Sequence, residues 1–479
     1  MNSKTGFLLA ALLGLMACGG DAPKTSDAPP NTPSAKADAR PITWLEGIYA
    51  TSSSPANEIY DLFDDDPSTG WRTQTGAGPD EGIMLYFPNA LPLQSIQIVP
   101  EEGRFQGADA YIQTYVNGAL GGGGKPGDKI ALGEELVKSL YIRFVKSGLE
   151  EVSRPQNKDE AVVEIESFPA NEYIGVKELK VWNDKGELLR LKPPKRVRGT
   201  LSASSTLQPE IAYSVANLFD ARKEFVWVEG NKKTSGEGES LTFEFDEPVN
   251  ITAIQIWNGY QRSDEHFAAN ARVRDFGFGL QGGEATTYTL RDTKAGQKIE
   301  LTAPLKGKSF TLSIQSIYAG SRYKDLAISD MVFFDGQKPF VLYSKLLERT
   351  QSNLRNEIGS SPLVQILNRR VSNVVQEVGV MTQQSLILRS DGTFVMYSSD
   401  IMPDDTEVQT LADGNWELIS SDPAEAVIKV FGRWNNVSDF ADYYRGNTTQ
   451  NVTRIFSDQV LTDGNIVRGK RMLGTFYLR

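Results

Sequence analysis

One pattern occurs twice in this chain, and it restricts the available folds more than any other feature. Asp61-Leu62-Phe63-Asp64, then six residues and Trp71, matches Asn217-Leu218-Phe219-Asp220, then six residues and Trp227. Ile83-Met84-Leu85-Tyr86-Phe87 corresponds to Leu241-Thr242-Phe243-Glu244-Phe245, and Ser95-Ile96-Gln97-Ile98 to Ala253-Ile254-Gln255-Ile256. Ile174 to Trp182 parallels Leu326 to Phe334. The offset stays between 152 and 158 over all four blocks, so the two stretches are copies of one structural unit.

Within the blocks apolar and polar residues alternate, as in Leu241, Phe243 and Phe245 against Thr242, Glu244 and Asp246. That period of two, in short runs separated by Gly, Pro, Asn and Asp, predicts antiparallel strands with one buried face. Units of about 150 residues built this way are sandwiches or jelly rolls. Lys192-Pro193-Pro194-Lys195 lies between the copies and reads as a short, stiff linker. With 479 residues the chain has room for two to four domains, each able to bury its own core.

Composition narrows the chemistry. The net charge of −11 argues against a main role on nucleic-acid phosphates or an anionic bilayer. A single cysteine excludes an intrachain disulfide and any multi-cysteine metal site. A single histidine, His266, excludes mechanisms that need two imidazoles. The balance suits a binding protein, with no cofactor, no metal site and no catalytic residue expected.

The second copy resembles a family. Leu201 to Leu207, Asn217 to Asp220, Trp227-Val228-Glu229-Gly230, Ile256 to Gln261 and Asn270 to Asp275, within roughly Thr200 to Leu342, are similar to discoidin-like (factor five/eight type C) jelly rolls. More narrowly they resemble the NADase-type glycan-binding, or translocation, domain. The resemblance implies recognition of carbohydrate rather than its turnover. The first copy keeps the early Asp-Trp motif but has Val99-Pro100-Glu101-Glu102 where the second has Asn258-Gly259-Tyr260-Gln261, and reads as degenerate.

Sugars are held by planar polar side chains matched to hydroxyl pairs and by an aromatic face under the ring. Asn258, Tyr260, Gln261, Asn270 and Arg272 supply that chemistry within fifteen positions, and are the candidate ligand-binding residues. Asn258-Gly259 equally suits a plain turn, and Arg272 with Asp275 an internal ion pair. Asp220 and Trp227 recur in both copies, which favours a structural role: a buried tryptophan below a loop pinned by an aspartate. His266 is expected on an exposed loop, and Glu237 and Glu239 in a solvated glycine-rich turn. Asp64-Asp65-Asp66 offers oxygen ligands for a cation such as calcium, or an acidic turn in water.

Near the start of the chain Lys4 precedes an apolar run from Phe7 to Ala17, too short to span a bilayer. It ends at Leu15-Met16-Ala17-Cys18-Gly19, which resembles the lipobox of bacterial lipoproteins; the resemblance implies lipidation of Cys18. Residues 19–40 are Ala, Pro, Asp, Ser, Thr and Lys with almost no large apolar side chain, and read as a disordered tether. Gly19 rather than Asp after the cysteine leans towards the outer membrane.

Past Leu342 the pattern changes. Leu346, Leu347, Thr350, Leu354 and Ile358 suit one helical face, and Leu363, Ile366, Leu367, Val371, Val374 and Val375 a second. Strand patterns then return at Ser385–Arg389, Thr393–Tyr397, Trp416–Ile419, Val427–Phe431 and Thr475–Leu478, with Asp391-Gly392 as a hairpin turn. Asp413 to Leu418 and Gly432-Arg433-Trp434 are similar to small lipocalin-like barrels of bacterial lipoproteins.

The expected fold is mainly β: a signal peptide (1–17), a lipidated cysteine and tether (18–41), two tandem discoidin-like jelly-roll sandwiches (42–192 and 197–343), and a small barrel-like β domain with one or two helices (344–479). The expected function is non-catalytic glycan binding through loops of the second jelly roll, in a lipid-anchored envelope protein whose partners are a glycan and a membrane, not a nucleic acid. A protein-interaction or assembly role, with a protein partner, and a hydrolase in the C-terminal part are the alternatives.

Overall fold

The computed structural model describes residues 40–479 except 55, 74–80, 106–109, 134–135, 147–160, 167–172, 209, 345–366, 368–369, 378–379, 390–392, 402, 404–406, 422–424, 437–450, 457–465 and 470–479. The signal peptide, Cys18 and the tether lie outside the described residues, as do the first expected helix after Leu342 and the strand expected at Thr475–Leu478. Among the described residues no helix is long and apolar enough to cross a membrane. The chain is mainly β, with three eight-stranded sheets.

Both copies of the repeat are built around one long, bent strand. In the first copy it runs Glu81–Pro100. Its first half pairs with Gly47–Ala50 and Leu136–Lys146, and its second half with Gly175–Asn183 and Lys129–Ala131. The exposed Pro88, Asn89 and Ala90 mark the bend between them. A strand that changes sheet at such a corner closes a sandwich. Ile83, Leu85 and Phe87 from one half and Leu93, Ile96 and Ile98 from the other then meet in one core with Trp71, Ile142, Phe144 and Val181.

The second copy repeats the plan with Ser240–Asn258, whose register breaks between Glu244 and Val249. Leu241, Phe243, Phe245, Ile254 and Ile256 pack there with Trp227, Phe278, Phe310 and Phe333. Each copy is also closed by a parallel pair of its end strands, Ile42–Trp44 with Arg190–Lys192 and Lys195–Gly199 with Phe340–Ser344.

The repeated Asp-Trp motif has the same local structure twice. Short 3-10 turns, Ile59–Phe63 and Val215–Phe219, end on Asp64 (φ −85°, ψ −6°) and Asp220 (φ −93°, ψ −3°). The next residues, Asp65 (φ 69°) and Ala221 (φ 61°), are both left-handed. Each aspartate accepts the N–H two residues on, Asp66 at 2.8 Å and Arg222 at 2.7 Å, which holds the chain in that turn. Trp71 and Trp227 are fully buried, and their indole N–H groups donate to the carbonyls of Ser52 (3.0 Å) and Ser205 (3.1 Å).

The two sandwiches touch through that second turn. Lys223 lies over the rings of Tyr86 (4.4 Å) and Trp257 (4.3 Å), with its ammonium 3.1 Å from the buried Glu46. Arg222 lies over Tyr49 at 4.8 Å and Phe225 at 4.3 Å. Cation–π contact suits this setting, since aromatic faces replace part of the water each cation loses. Burial pushes the Asp220 and Asp330 carboxyls well above the ordinary carboxylate range; for Asp220 the neighbouring Asp330 adds to it, and for Asp330 Lys223 opposes it.

The third sheet is antiparallel throughout, in the spatial order Asn451–Phe456, Glu425–Asn436, Glu407–Ser421, Thr393–Ile401, Val380–Leu388, Arg370–Glu377, Ala161–Glu166, Ile466–Gly469. Two features differ from expectation. Val371, Val374 and Val375, expected on a helical face, belong to a strand that pairs residue by residue with Val380–Leu388. Their spacing fits a helix, but their β-branched side chains fit a pleated ladder better. Ala161–Glu166, inside the first repeat by sequence, pairs between Arg370–Glu377 and Ile466–Gly469 in the third sheet.

A buried ion pair links the third sheet to the first sandwich. The Arg389 guanidinium meets the Glu81 carboxylate, with Arg389 1% and Glu81 0% exposed. The Thr51 and Ser52 hydroxyls donate to the other oxygen of Glu81, and the Trp416 indole donates to the Arg389 carbonyl at 3.0 Å. Removing one partner strands the other charge away from water, at a cost of about 3–5 kcal/mol. Arg389→Met is therefore expected to lower the melting temperature sharply, and Glu81→Gln added to it to recover part of the loss. An unchanged melting temperature in Arg389→Met would contradict the link.

Candidate functional site

At one end of the second sandwich five connections converge: 204–226, 229–239, 259–271, 290–296 and 319–326. The sheet register places them together, because Asn258 and Trp227 both pair with Ile328, and Arg272 pairs with Tyr318. Loops on a rigid sandwich are where binding groups are usually displayed.

Glu239 fastens the first two loops. It is 4% exposed, against the solvated position expected for it; Glu237 is exposed as expected. Its carboxylate accepts from the Ser204 hydroxyl, from Ser205 at 2.7 Å and from the Asn231 amide at 2.9 Å. Burial raises its pKa, but these three hydrogen bonds outweigh burial and hold the carboxyl below its ordinary value. Glu81 occupies the same place in the first copy, where the Arg389 guanidinium is its further partner.

The five sequence-predicted binding residues do come together in the loop 259–271 and its flanks, with their polar atoms turned towards the protein. Asn258 is fully buried; its amide donates to the Val273 carbonyl at 2.7 Å and its oxygen accepts the Val273 N–H at 2.9 Å. Arg272 holds Asp292 with two bonds, 2.6 and 2.9 Å, and donates to the carbonyls of Phe267 (3.0 Å) and Asn270 (2.6 Å). Asp292, not Asp275, is thus its ion-pair partner.

Asn270 donates to the His266 carbonyl at 2.8 Å, and Gln261 to the Asn258 carbonyl at 2.5 Å. Tyr260 is 7% exposed and accepts from Arg262 at 3.3 Å. This differs from the open cradle expected, for a simple reason. An amide or guanidinium that matches a pair of sugar hydroxyls matches peptide groups equally well, and a tight loop has peptide groups to satisfy.

Ser263 caps the short helix Asp264–Ala269, its hydroxyl accepting the His266 N–H at 3.1 Å. His266 was expected on an exposed loop; it is half-buried, its ring edge-on to Tyr260 at 4.9 Å and its Nδ1 2.7 Å from the Ser263 hydroxyl. Burial, reinforced by the Arg262 guanidinium and opposed by Glu265, lowers its pKa from the ordinary 6.5.

The feature that sequence reading missed is the loop 319–325. Ser321 N–H donates to the Ala268 carbonyl at 2.9 Å, and the N–H groups of Arg322 (3.1 Å) and Tyr323 (2.8 Å) to that of Ala269. Gly320 permits this approach, since a Cβ there would lie 2.4 Å from the Ala269 and Tyr323 carbonyl oxygens. The loop is fixed, yet Tyr323 is 43% exposed and Arg322 and Lys324 are also exposed. A polar run after a glycine was its only signal in the sequence.

Among the described residues no group of three or more His, Cys, Asp or Glu side chains could hold a metal ion. Asp65 pairs with Arg190 at 2.6 Å and Lys192 at 2.5 Å, while Asp64 and Asp66 accept from Thr69 and Ser68.

Residues 195–334 match the family model of the NAD glycohydrolase translocation F5/8 type C domain, so the second sandwich is of the discoidin-like kind. No curated relative of the chain matches. Similar solved structures include the family 32 carbohydrate-binding module of AlyQ in complex with 4,5-unsaturated mannuronic acid, 14% identical over 29% of this chain and 95% of that one, with a TM-score of 0.21. The family 32 module of Clostridium perfringens NanJ in complex with galactose is 12% identical over 29% and 93%, with a TM-score of 0.23. Another Clostridium perfringens module, in complex with GalNAc-β-1,3-galactose, is 11% identical over 29% and 95%, with a TM-score of 0.24.

The lowered His266 value fixes a sign for stability against pH. Unfolded, the imidazole takes its proton near 6.5; folded, it does so only at lower pH. The unfolded chain binds more protons between those two values, so stability contributed here is complete above 6.5 and is lost as pH falls through that window. His266→Gln is expected to flatten the fall in melting temperature just below pH 6.5. Identical pH profiles for the two proteins would show that the ring does not titrate with folding.

Proposed function

We propose that this chain is a non-catalytic glycan-binding protein of the bacterial envelope, with the saccharide taken at the loop end of the second sandwich and the first sandwich acting as scaffold. The observation that carries this reading is Tyr323, an aromatic side chain left in water on a loop that three consecutive backbone hydrogen bonds hold still. An aromatic ring so placed gives a pyranose its apolar platform without an ordering cost at binding. The discoidin-type family match over the same sandwich supports it. In this reading Asn258, Asn270 and Arg272 shape the loop from inside, and Tyr260 and Gln261 line its inner wall.

The difference between the copies also supports it. In the first sandwich the carboxylate that ties the loop end together pairs with Arg389 from the third sheet; in the second its counterpart is closed by Asn231 of its own loop. The third sheet is placed here as a structural partner of the first sandwich. Anchoring through a lipid on Cys18, at the outer membrane, is the remaining part of the proposal and rests on the sequence.

On a glycan array the full chain is expected to retain a defined set of saccharides, and Tyr323→Ala to weaken their binding about tenfold with an unchanged melting temperature. Full retention by Tyr323→Ala, or no saccharide bound, would remove the reading. Cys18→Ser is expected to move the protein from the membrane fraction to the soluble fraction; a protein still pelleting with membranes would count against the anchor.

A further inference from the structure

We infer that the loop end of the second sandwich selects acidic saccharides, those bearing carboxylate or sulfate groups, through a cationic rim around Tyr323. The inference rests on the glycan-binding reading above and names the class of glycan. Four exposed cations, Lys232, Lys233, Arg322 and Lys324, lie on the two loops 229–239 and 319–326. Those loops are joined at their bases. Glu229 N–H donates to the Leu326 carbonyl at 3.1 Å, and Gly236 approaches Leu326 so closely that a Cβ would lie 2.4 Å from its side chain. The Arg322 guanidinium sits over the Tyr323 ring, 5.1 Å from its centre. One aromatic ring therefore carries a planar, bidentate anion binder over one of its faces.

Most other cations of this end serve the fold: Arg272, Lys294, Arg222 and Lys223 are paired with Asp292, Asp264, Glu224 and Glu46, and Arg262 is buried, while Arg291 is exposed on the loop 290–296. The four rim cations make no ion pair among the described residues. The exposed face of the same two loops is mostly cationic. Glu229 and Glu239 are buried and committed to hydrogen bonds inside the loop, Glu229 accepting the Asn231 N–H at 2.5 Å, so the side chains offered to a ligand are four cations with Glu237 and the half-buried Asp325.

The rim belongs to the second copy alone. At the repeat offset that aligns Ile174 with Leu326, Arg322-Tyr323-Lys324 stands where the first copy has Ala170-Asn171-Glu172. At the offset that aligns Trp71 with Trp227, Lys232-Lys233 stands where it has Gly76-Ala77. A local surplus of positive charge in a chain of net charge −11 needs a reason, and a ligand carrying isolated anionic groups beside apolar ring faces supplies one. A densely charged polyanion such as nucleic acid or an anionic bilayer would be repelled by the rest of the molecule.

The test measures binding of the full chain carrying Cys18→Ser, which has no lipid to enter a bilayer and needs no detergent, to polygalacturonate, chondroitin sulfate and neutral galactan, with duplex DNA and phosphatidylserine vesicles alongside. An acidic polysaccharide is expected to bind at least about tenfold more tightly than galactan, and to weaken as salt is raised, since exposed charges are screened. Arg322→Ala with Lys324→Ala, and separately Lys232→Glu with Lys233→Glu, are each expected to lower that affinity about tenfold without changing the melting temperature. Galactan bound as tightly as the acidic chains, or variants that keep full affinity for them, would overturn the acidic selectivity and leave glycan binding standing. Binding to none of the three polysaccharides would overturn both. DNA or vesicles bound more tightly than the acidic polysaccharides would overturn the saccharide assignment.

Discussion

A tryptophan driven out of water still carries an N–H that must be satisfied, and both sandwiches are organised around meeting that demand. Trp71 and Trp227 are fully buried, and each donates to a carbonyl in the connection that follows its sandwich's first strands, at Ser52 and Ser205. An unpaired buried donor would cost about 1–3 kcal/mol, so the indole fixes the loop as firmly as the loop fixes the indole. The same aspartate turn precedes each tryptophan in the chain. From there a buried glutamate, Glu81 or Glu239, collects the hydroxyls of the same connection and ties it to the start of the long bent strand.

That shared frame has diverged in what it offers to its surroundings. In the first copy the glutamate accepts an arginine from a distant part of the chain, and a strand from within the same copy, Ala161–Glu166, completes the third sheet. That carboxylate is thereby engaged inside the molecule. In the second copy the glutamate is closed locally by Asn231, and the end of the sandwich faces water with an aromatic ring and exposed cationic side chains. Under the proposed function the first unit is the support and the second the displayed surface. The contact between the two units holds Lys223 between Tyr86 and Trp257 and pairs it with Glu46.

The candidate site shows how the same side-chain chemistry serves two purposes. Asn258 bridges both main-chain groups of Val273, and Arg272 spends its donors on Asp292 and three carbonyls. These residues looked like sugar ligands because hydrogen-bond donors in planar arrays are what sugars require. They are also what a buried loop requires, and composition alone does not separate the two demands. The displayed residues, Arg322 to Lys324, were inconspicuous in sequence because exposure comes from the backbone path and leaves no pattern of its own.

The sequence by itself determined the duplication, the β character, the alternating core residues of the strand blocks, and the structural role of the Asp-Trp motif. Each of these is encoded locally, by periodicity or by a hydrogen bond between residues close along the chain. Only the tertiary structure decided which polar side chains face inward, that Val371, Val374 and Val375 lie in a ladder rather than on a helix, and that Arg389 meets Glu81 across 308 positions. Those outcomes depend on which distant groups arrive beside a residue, and on whether water or a peptide group reaches its polar atoms first.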